Sequence, residues 1–451
     1  MPSQLLTIAR NTFVESVRQP IYFILLAICG IAQILTTWGT GFSMGYTESG
    51  EVSGDDKMLL EIGLATVFVC GMLLAAFIAT AVVSREIENK TVLTVVSKPV
   101  SRPVLIVGKY LGVSGAMVIA VLTMLLFLQL SLRHQVLSNA SDQVDKPVVL
   151  FSFLATFFAF GIAIWCNFFY GWVFSQTATL LMFPLFTAAW VGTLLLSKDW
   201  HFQPIATDFK PQVALISLSV LMALLVLTAV ATAASTRLGQ VMTIVVCAGV
   251  FLLGLLSNHF IGRHAHSNRY AAVIHSAEPQ REGETSFNQP GDTYDIALRY
   301  APREPITVGT PFYYGPNPNG VPLNINPYKP FKGDTSDRMA MFDNNREPAL
   351  VVVEAENVRL TVKHVGPAAD LAVLPPRNGD YVFIRPTFVN PVAVTLWGVI
   401  PNVQFFWLVD AVTQANPVPA RHILLVAAYG AVQIIVFLSL AIILFQRREV
   451  G

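Results

Sequence analysis

Three places in the chain gather side chains able to do chemistry. The first is the stretch Ser84-Arg85-Glu86-Ile87-Glu88-Asn89-Lys90-Thr91-Val92-Leu93, continued by Ser97-Lys98-Pro99-Val100-Ser101-Arg102-Pro103. Acids and bases alternate, a short apolar turn follows, and Pro99 and Pro103 redirect the chain, because proline lacks an amide hydrogen and restricts the residue before it. Such a segment holds no nucleophile paired with a base. It can lie along a membrane surface and offer an apolar knob ringed by charge to a cytoplasmic partner, and it equally suits a solvated connecting loop. The second place is His259, His264 and His266. Imidazoles so close in sequence can bind Zn or Cu, but no carboxylate or Cys lies near them to complete a set, so they are weak metal candidates. The third is Gly108-Lys109. A phosphate loop needs G-x-x-x-x-G-K-[ST], whereas position 103 is Pro and Tyr110 stands where the hydroxyl residue belongs. HExxH is also missing. The reading is of a non-enzymatic chain with no catalytic residue, no cofactor and no metal of its own.

The elements that carry these residues follow from composition. The chain has 451 residues, of which 13% are charged and 54% hydrophobic, with a mean hydropathy of +0.57. A soluble domain runs at about 25% charged, so an ordinary cytosolic enzyme is excluded. The net charge of +1 gives no basic field for nucleic acid. Cys29, Cys70, Cys166 and Cys247 each lie inside an apolar run and read as small packing residues. A bilayer core about 30 Å thick needs about 20 apolar residues per helix. Runs of that kind occur at 20–42, 58–83, 104–131, 149–173, 177–197, 211–235, 238–257 and 422–445, which predicts a mainly α, polytopic protein of about eight spans. The tight connection near Ser175-Gln176 has no basic residue, so 149–197 reads either as two crossings or as a re-entrant pair. Few polar residues fall within spans: Glu61, Gln129, Asn167 and Gln176.

Lys and Arg in short loops set orientation. With residues 1–19 as a cytoplasmic amphipathic helix, Arg10, Arg18, the 84–103 loop, Arg237 and Arg447-Arg448 all fall inside, while 43–57 carries Glu48, Glu51, Asp55 and Asp56 against Lys57. Both termini are then cytoplasmic and the protein lies in the cell membrane. After Ser257 the composition changes. Residues 258–420 concentrate charge, Pro and Gly, and at about 160 residues are long enough for a domain. Alternating β-formers at Thr293–Tyr300, Ala349–Glu354, Val358–His364 and Tyr381–Arg385, with turn signals at Glu356-Asn357 and Asn378-Gly379-Asp380, predict a β-rich extracytoplasmic domain inserted before the last helix. Thr310–Asp334 reads as a long loop ordered by Phe312, Tyr313, Tyr314 and Tyr328. The aromatic segment 391–420 is expected at the outer interface, and 421–451 supplies the last span and a cytoplasmic tail.

The pattern E-x-E-x-x-T-x-x-x-x-x-S-x-P-V-S-R, formed by Glu86, Glu88, Thr91, Ser97, Pro99, Val100, Ser101 and Arg102 and followed by Gly108-Lys109, resembles the loop between the second and third helices of permeases in the type-two ABC exporter family. The stretch Ile8–Arg18 resembles that family's amphipathic first helix, and Leu444–Glu449 its final-helix exit. The resemblance implies that 84–103 is a coupling helix docking on a separate cytoplasmic ATPase, which supplies the ATP chemistry, and that two permeases pair as a homodimer in the lipid bilayer. By resemblance Glu86, Glu88, Lys90, Thr91, Leu93, Pro99 and Arg102 touch or shape the ATPase interface, with Glu15 and Arg18 nearby. The family commonly has about six spans, so the pair 149–197 and the insertion 258–420 are departures. Three functions follow: an ATP-driven exporter permease; a mechanotransmission module that moves 258–420 against an extracytoplasmic partner; and a membrane-embedded enzyme, which no residue constellation supports.

Overall fold

Every apolar run of membrane length folds as a helix. The computed structural model describes residues 2–39, 52, 54–84, 101–137, 143–281, 287, 291–319, 323, 325, 349–365, 375–413 and 418–447. Helix α1 (Pro2–Arg18) stops at Gln19, and Pro20 opens α2 (Pro20–Gly39). Then come α3 (Asp56–Ala79), extended by a π-turn over Thr80–Ser84, α4 (Arg102–His134), α5 (Lys146–Tyr170), α6 (Phe174–Leu195), α7 (Pro211–Ser235), α8 (Gln240–Ser257), the short α9 (Pro391–Val399) and α10 (Val409–Thr413), and α11 (Ala420–Gln446). Eight of these, α2 to α8 and α11, are long and apolar enough to cross a membrane. The pair 149–197 accordingly forms two helices of spanning length. Prolines sit in the first turns of α4, α5 and α7, where the missing N–H has no intrahelical acceptor to lose.

The chain divides into two compact units, Met1–Leu255 with Ile400–Gly451, and Leu256–Val399. In the helical unit α3, α4 and α7 are the most buried helices and α5, α8 and α11 the least. Leu64, Val67, Leu74, Met117, Met124 and Leu224 build its core, while Phe153, Ile164, Leu253 and Ile435 stay exposed. Helices apolar on both inner and outer faces suit a lipid surround. Cys29, Cys70 and Cys247 are buried, and all four cysteines are free thiols.

The aromatic segment 391–420 does not behave as one interfacial piece. Its second part packs inside the helical unit, with Val403, Phe406, Val409 and Val412 in the main core. Amphipathic aromatic chain is satisfied as well by a protein groove as by headgroups, and here the groove is prepared. A methyl at Gly254 would overlap the Pro401 carbonyl oxygen. The irregular backbone finds its hydrogen bonds on neighbouring helices, as it must away from water. The Asn402 amide donates to Tyr429 Oη at 3.0 Å, Tyr429 Oη donates to the Ile400 carbonyl at 3.2 Å, the Val418 amide donates to Gln212 Oε1 at 2.8 Å, and Ser219 Oγ donates to the Phe406 carbonyl.

The other unit is built on strands β1 (His266–Ser267), β2 (Ala272–Pro279), β3 (Thr293–Leu298), β4 (Tyr313–Gly315), β5 (Ala349–Glu356), β6 (Arg359–Val365), β7 (Tyr381–Phe383) and β8 (Phe388–Val389). Six form an antiparallel sheet in the order β4-β7-β2-β3-β6-β5. The chain just before β4 pairs with the far edge: the Phe312 amide donates to the Leu350 carbonyl at 2.8 Å and the Val352 amide to the Thr310 carbonyl at 3.0 Å. One continuous segment therefore joins both edges, and the sheet closes into a small barrel filled by Ile274, Phe287, Tyr294, Ile296, Phe312 and Val352. Burial, with Asp380 and Tyr294 adding to it, holds the Tyr314 phenol above its ordinary range. The β5–β6 turn has two residues, with Asn357 at φ 31°, a left-handed conformation that Asn tolerates. Strands β1 and β8 pair separately, His266 opposite Val389 and Ser267 opposite Phe388. Below them Trp397 Nε1 donates to Asn258 Oδ1 at 3.1 Å.

Candidate coupling face

The segment 84–103 leaves the end of α3 and returns at the start of α4. Its charged and apolar residues Glu86, Glu88, Lys90, Thr91, Leu93 and Pro99 lie outside the described residues. What is described is the socket from which the segment springs. Val83 at the end of α3, Leu105 and Ile106 at the start of α4, Ala233 at the end of α7 and Ala441 and Phe445 at the end of α11 form one apolar cluster, with Ile8 of α1 against it. Four helix ends and α1 meet there.

Cations fasten this cluster. Helix C-termini carry carbonyl groups without intrahelical partners, which favour a positive charge. Arg102 Nη1 donates to the Gln446 carbonyl at 2.8 Å, and Arg237 Nε donates to the Leu444 carbonyl at 3.0 Å, so two arginines from α4 and from the α7 end hold the end of α11. Lys109, 4% exposed, donates from Nζ to the Val82 carbonyl at 2.9 Å, in the π-turn that ends α3. A lysine that looked from sequence like half of a failed phosphate loop thus ties the outgoing helix to the returning one.

Helix α1 does not lie free on a surface. It runs along α4 in a groove made by glycines: a Cβ on Gly108 would stand 2.8 Å from Ile8 Cγ2, and one on Gly112 would stand 2.5 Å from both the Ala9 carbonyl oxygen and Thr12 Cβ. The G-x-x-x-G spacing here serves close helix approach. The register fixes where the remaining candidates stand. Phe13 faces Gly115, and Tyr22 Oη donates to the Ala116 carbonyl at 2.6 Å. Arg18 is therefore near the level of Ala116, about 20 Å along α4 from Arg102 at 1.5 Å per residue. Its Nε donates to Gln176 Oε1 at 2.8 Å. Glu15 is half-buried on the same helix. The structure separates Glu15 and Arg18 from Arg102 and sets the N-terminal half of α1 nearest the root of the loop.

The three histidines do not converge. His264 Nε2 accepts from Arg263 Nε at 3.2 Å, the His266 ring meets Trp397, and the His259 ring meets Phe260. Among the described residues no group of three His, Cys, Asp or Glu side chains could hold a metal ion. Sequence reasoning also passed over Gln33, buried in α2 with Nε2 donating to the Gly63 carbonyl at 3.0 Å, and Arg133, which ties the far end of the unit together. Gln33 is visible in sequence as a lone amide in an apolar run.

The sequence matches the family described as "ABC-2 family transporter protein" over residues 6–307. The chain belongs to that family. An ABC-2 permease is a membrane transport component and not itself the catalyst, which agrees with eight apolar helices and places the protein in a membrane. The match takes in α1 to α8 and β1 to β3, and leaves the later barrel strands and α11 outside it. No curated protein and no solved structure matches the chain.

Proposed function

We propose that this ABC-2 permease is the membrane-spanning subunit of an ATP-driven exporter, worked through the 84–103 segment by a separate cytoplasmic ATPase. The observation that carries the reading is the convergence of α3, α4, α7, α11 and α1 on the root of that segment. A push there acts on four helix ends at once, and Lys109, Arg102 and Arg237 make the ends move together. The subunit works as a homodimer, with both termini cytoplasmic and the barrel outside. A span-free phosphate-loop ATPase should copurify in equal amount from mild detergent. Charge reversal at Glu86 or Glu88, and Pro99→Gly, should each lower coupled ATP hydrolysis about tenfold, the effect of losing about 1.4 kcal/mol of docking energy, with the permease still in the membrane. Normal coupling in all three variants would sink the proposal.

A second reading is favoured by the barrel having its own closed core. Here the same ATPase stroke moves residues 258–399 against an extracytoplasmic partner, and nothing crosses the bilayer. Replacing 262–390 by a short linker separates the two. Transport that survives the replacement supports export. ATP hydrolysis that survives while the outer action disappears supports mechanotransmission.

A further inference from the structure

We propose that the turn between α5 and α6 is a lipid-binding tip seated in the headgroup layer of the bilayer, not a loop in water. No Asp, Glu, Lys, Arg or His lies between Lys146 and Lys198, so the whole hairpin, turn included, is uncharged. Its turn residues Gly171-Trp172-Val173 are nevertheless exposed, and so are Trp165, Phe168 at 80%, Phe169 and Tyr170 leading into them. The tip continues the exposed apolar face of α5 formed by Phe153, Phe157 and Ile164, the surface that an integral membrane protein turns to lipid. Trp and Tyr rings settle at the boundary between acyl chains and headgroups.

The backbone of the turn is wired for a place short of water. Gly171, at φ 66°, lets the chain reverse. The Gly171 amide donates to the Asn167 carbonyl at 3.1 Å and the Trp172 amide to the Cys166 carbonyl at 3.2 Å. Asn167 Nδ2 donates to the Trp172 carbonyl at 2.6 Å, and the Val173 carbonyl accepts from both the amide and Oγ1 of Thr177. Asparagines close turns in this way in water as well; in an interfacial layer the same bond also stands in for a missing water. Beside the tip the exposed Arg18 is held by Gln176 in the first turn of α6, so a guanidinium stands where an anionic headgroup can meet it while the rings enter the acyl layer.

Tryptophan quenching in the full-length protein tests this. The protein is reconstituted in phosphatidylethanolamine–phosphatidylglycerol vesicles with and without lipids brominated near the headgroup end of the acyl chain. The fluorescence lost on combining Trp165→Phe with Trp172→Phe is then compared between the two. Both rings are exposed, so the variant keeps the packing of the fold. The expected result is that the signal assigned to these two rings is quenched several-fold by brominated lipid and is barely touched by aqueous iodide. Quenching by iodide without quenching by brominated lipid overturns the proposal. As a second measurement, Asn167→Leu should lower the thermal midpoint in the same vesicles, since the Trp172 carbonyl then loses its partner; an unchanged midpoint counts against a water-poor setting.

Discussion

Arg133→Met should break the end of the helical unit that lies away from the coupling face. Arg133 closes α4, and its guanidinium reaches Asp145 Oδ2 at 2.8 Å, Asp208 Oδ2 at 2.9 Å and the Leu196 carbonyl at 3.3 Å. It therefore joins the end of α4 to the start of α5, the end of α6 and the approach to α7. Asp145 is fully buried and also caps α5, where its Oδ1 accepts from the Val148 amide at 3.1 Å. Without Arg133 that carboxylate is a buried charge with no cation. Breaking a buried pair by removing one partner costs about 3–5 kcal/mol. Arg133→Lys should recover little, because one ammonium cannot fork between two carboxylates as a guanidinium does. Adding Asp145→Asn to Arg133→Met should return part of the loss, since the stranded charge goes with it. Thermal unfolding in detergent followed by circular dichroism measures all three. An Arg133→Met midpoint equal to that of the native chain would mean that the cluster ties nothing together.

Gly112→Val should detach α1 from α4. The added carbons meet the backbone of Ala9 and the Cβ of Thr12, neither of which can rotate aside, so one helix has to move. Overpacking costs about 1–3 kcal/mol in a core that can adjust, and a groove closed by backbone adjusts less. Gly161→Ala in α5 is the control. A methyl there meets nothing within 4 Å, and Ala exceeds Gly in helix propensity by about 0.8–1.0 kcal/mol. Limited proteolysis near the N-terminus, together with the thermal midpoint, should show Gly112→Val cut faster and melting earlier while Gly161→Ala does neither. Equal behaviour of the two variants would remove the glycine groove from the account.

The helices were legible because lipid leaves the chain few options. About 20 apolar residues in a row can satisfy their backbone only as a helix, so all eight runs appear at the expected places. Strands β3, β5, β6 and β7 were legible through alternation. The central strand β2 was not, because Ala272–Pro279 carries His275, Ser276 and Glu278 and its register shifts between Ile274 and Ser276, which breaks the period of two. Strand β4 hid inside a stretch rich in Pro, Asn and Gly; Phe312 and Tyr314 do order it, from within the barrel, while Tyr328 lies outside the described residues. At the candidate site the sequence singled out the stretch 84–103, yet the partners of Arg102, Arg237 and Lys109 could not be read from it. All three bind backbone carbonyls on distant helices, and a carbonyl leaves no mark in a sequence.

The pairing of β1 with β8 bears on how the barrel came to be where it is. Its incoming and outgoing strands run side by side, so the chain enters and leaves this unit at neighbouring points. Such a module can be gained, lost or exchanged while its two chain ends stay together.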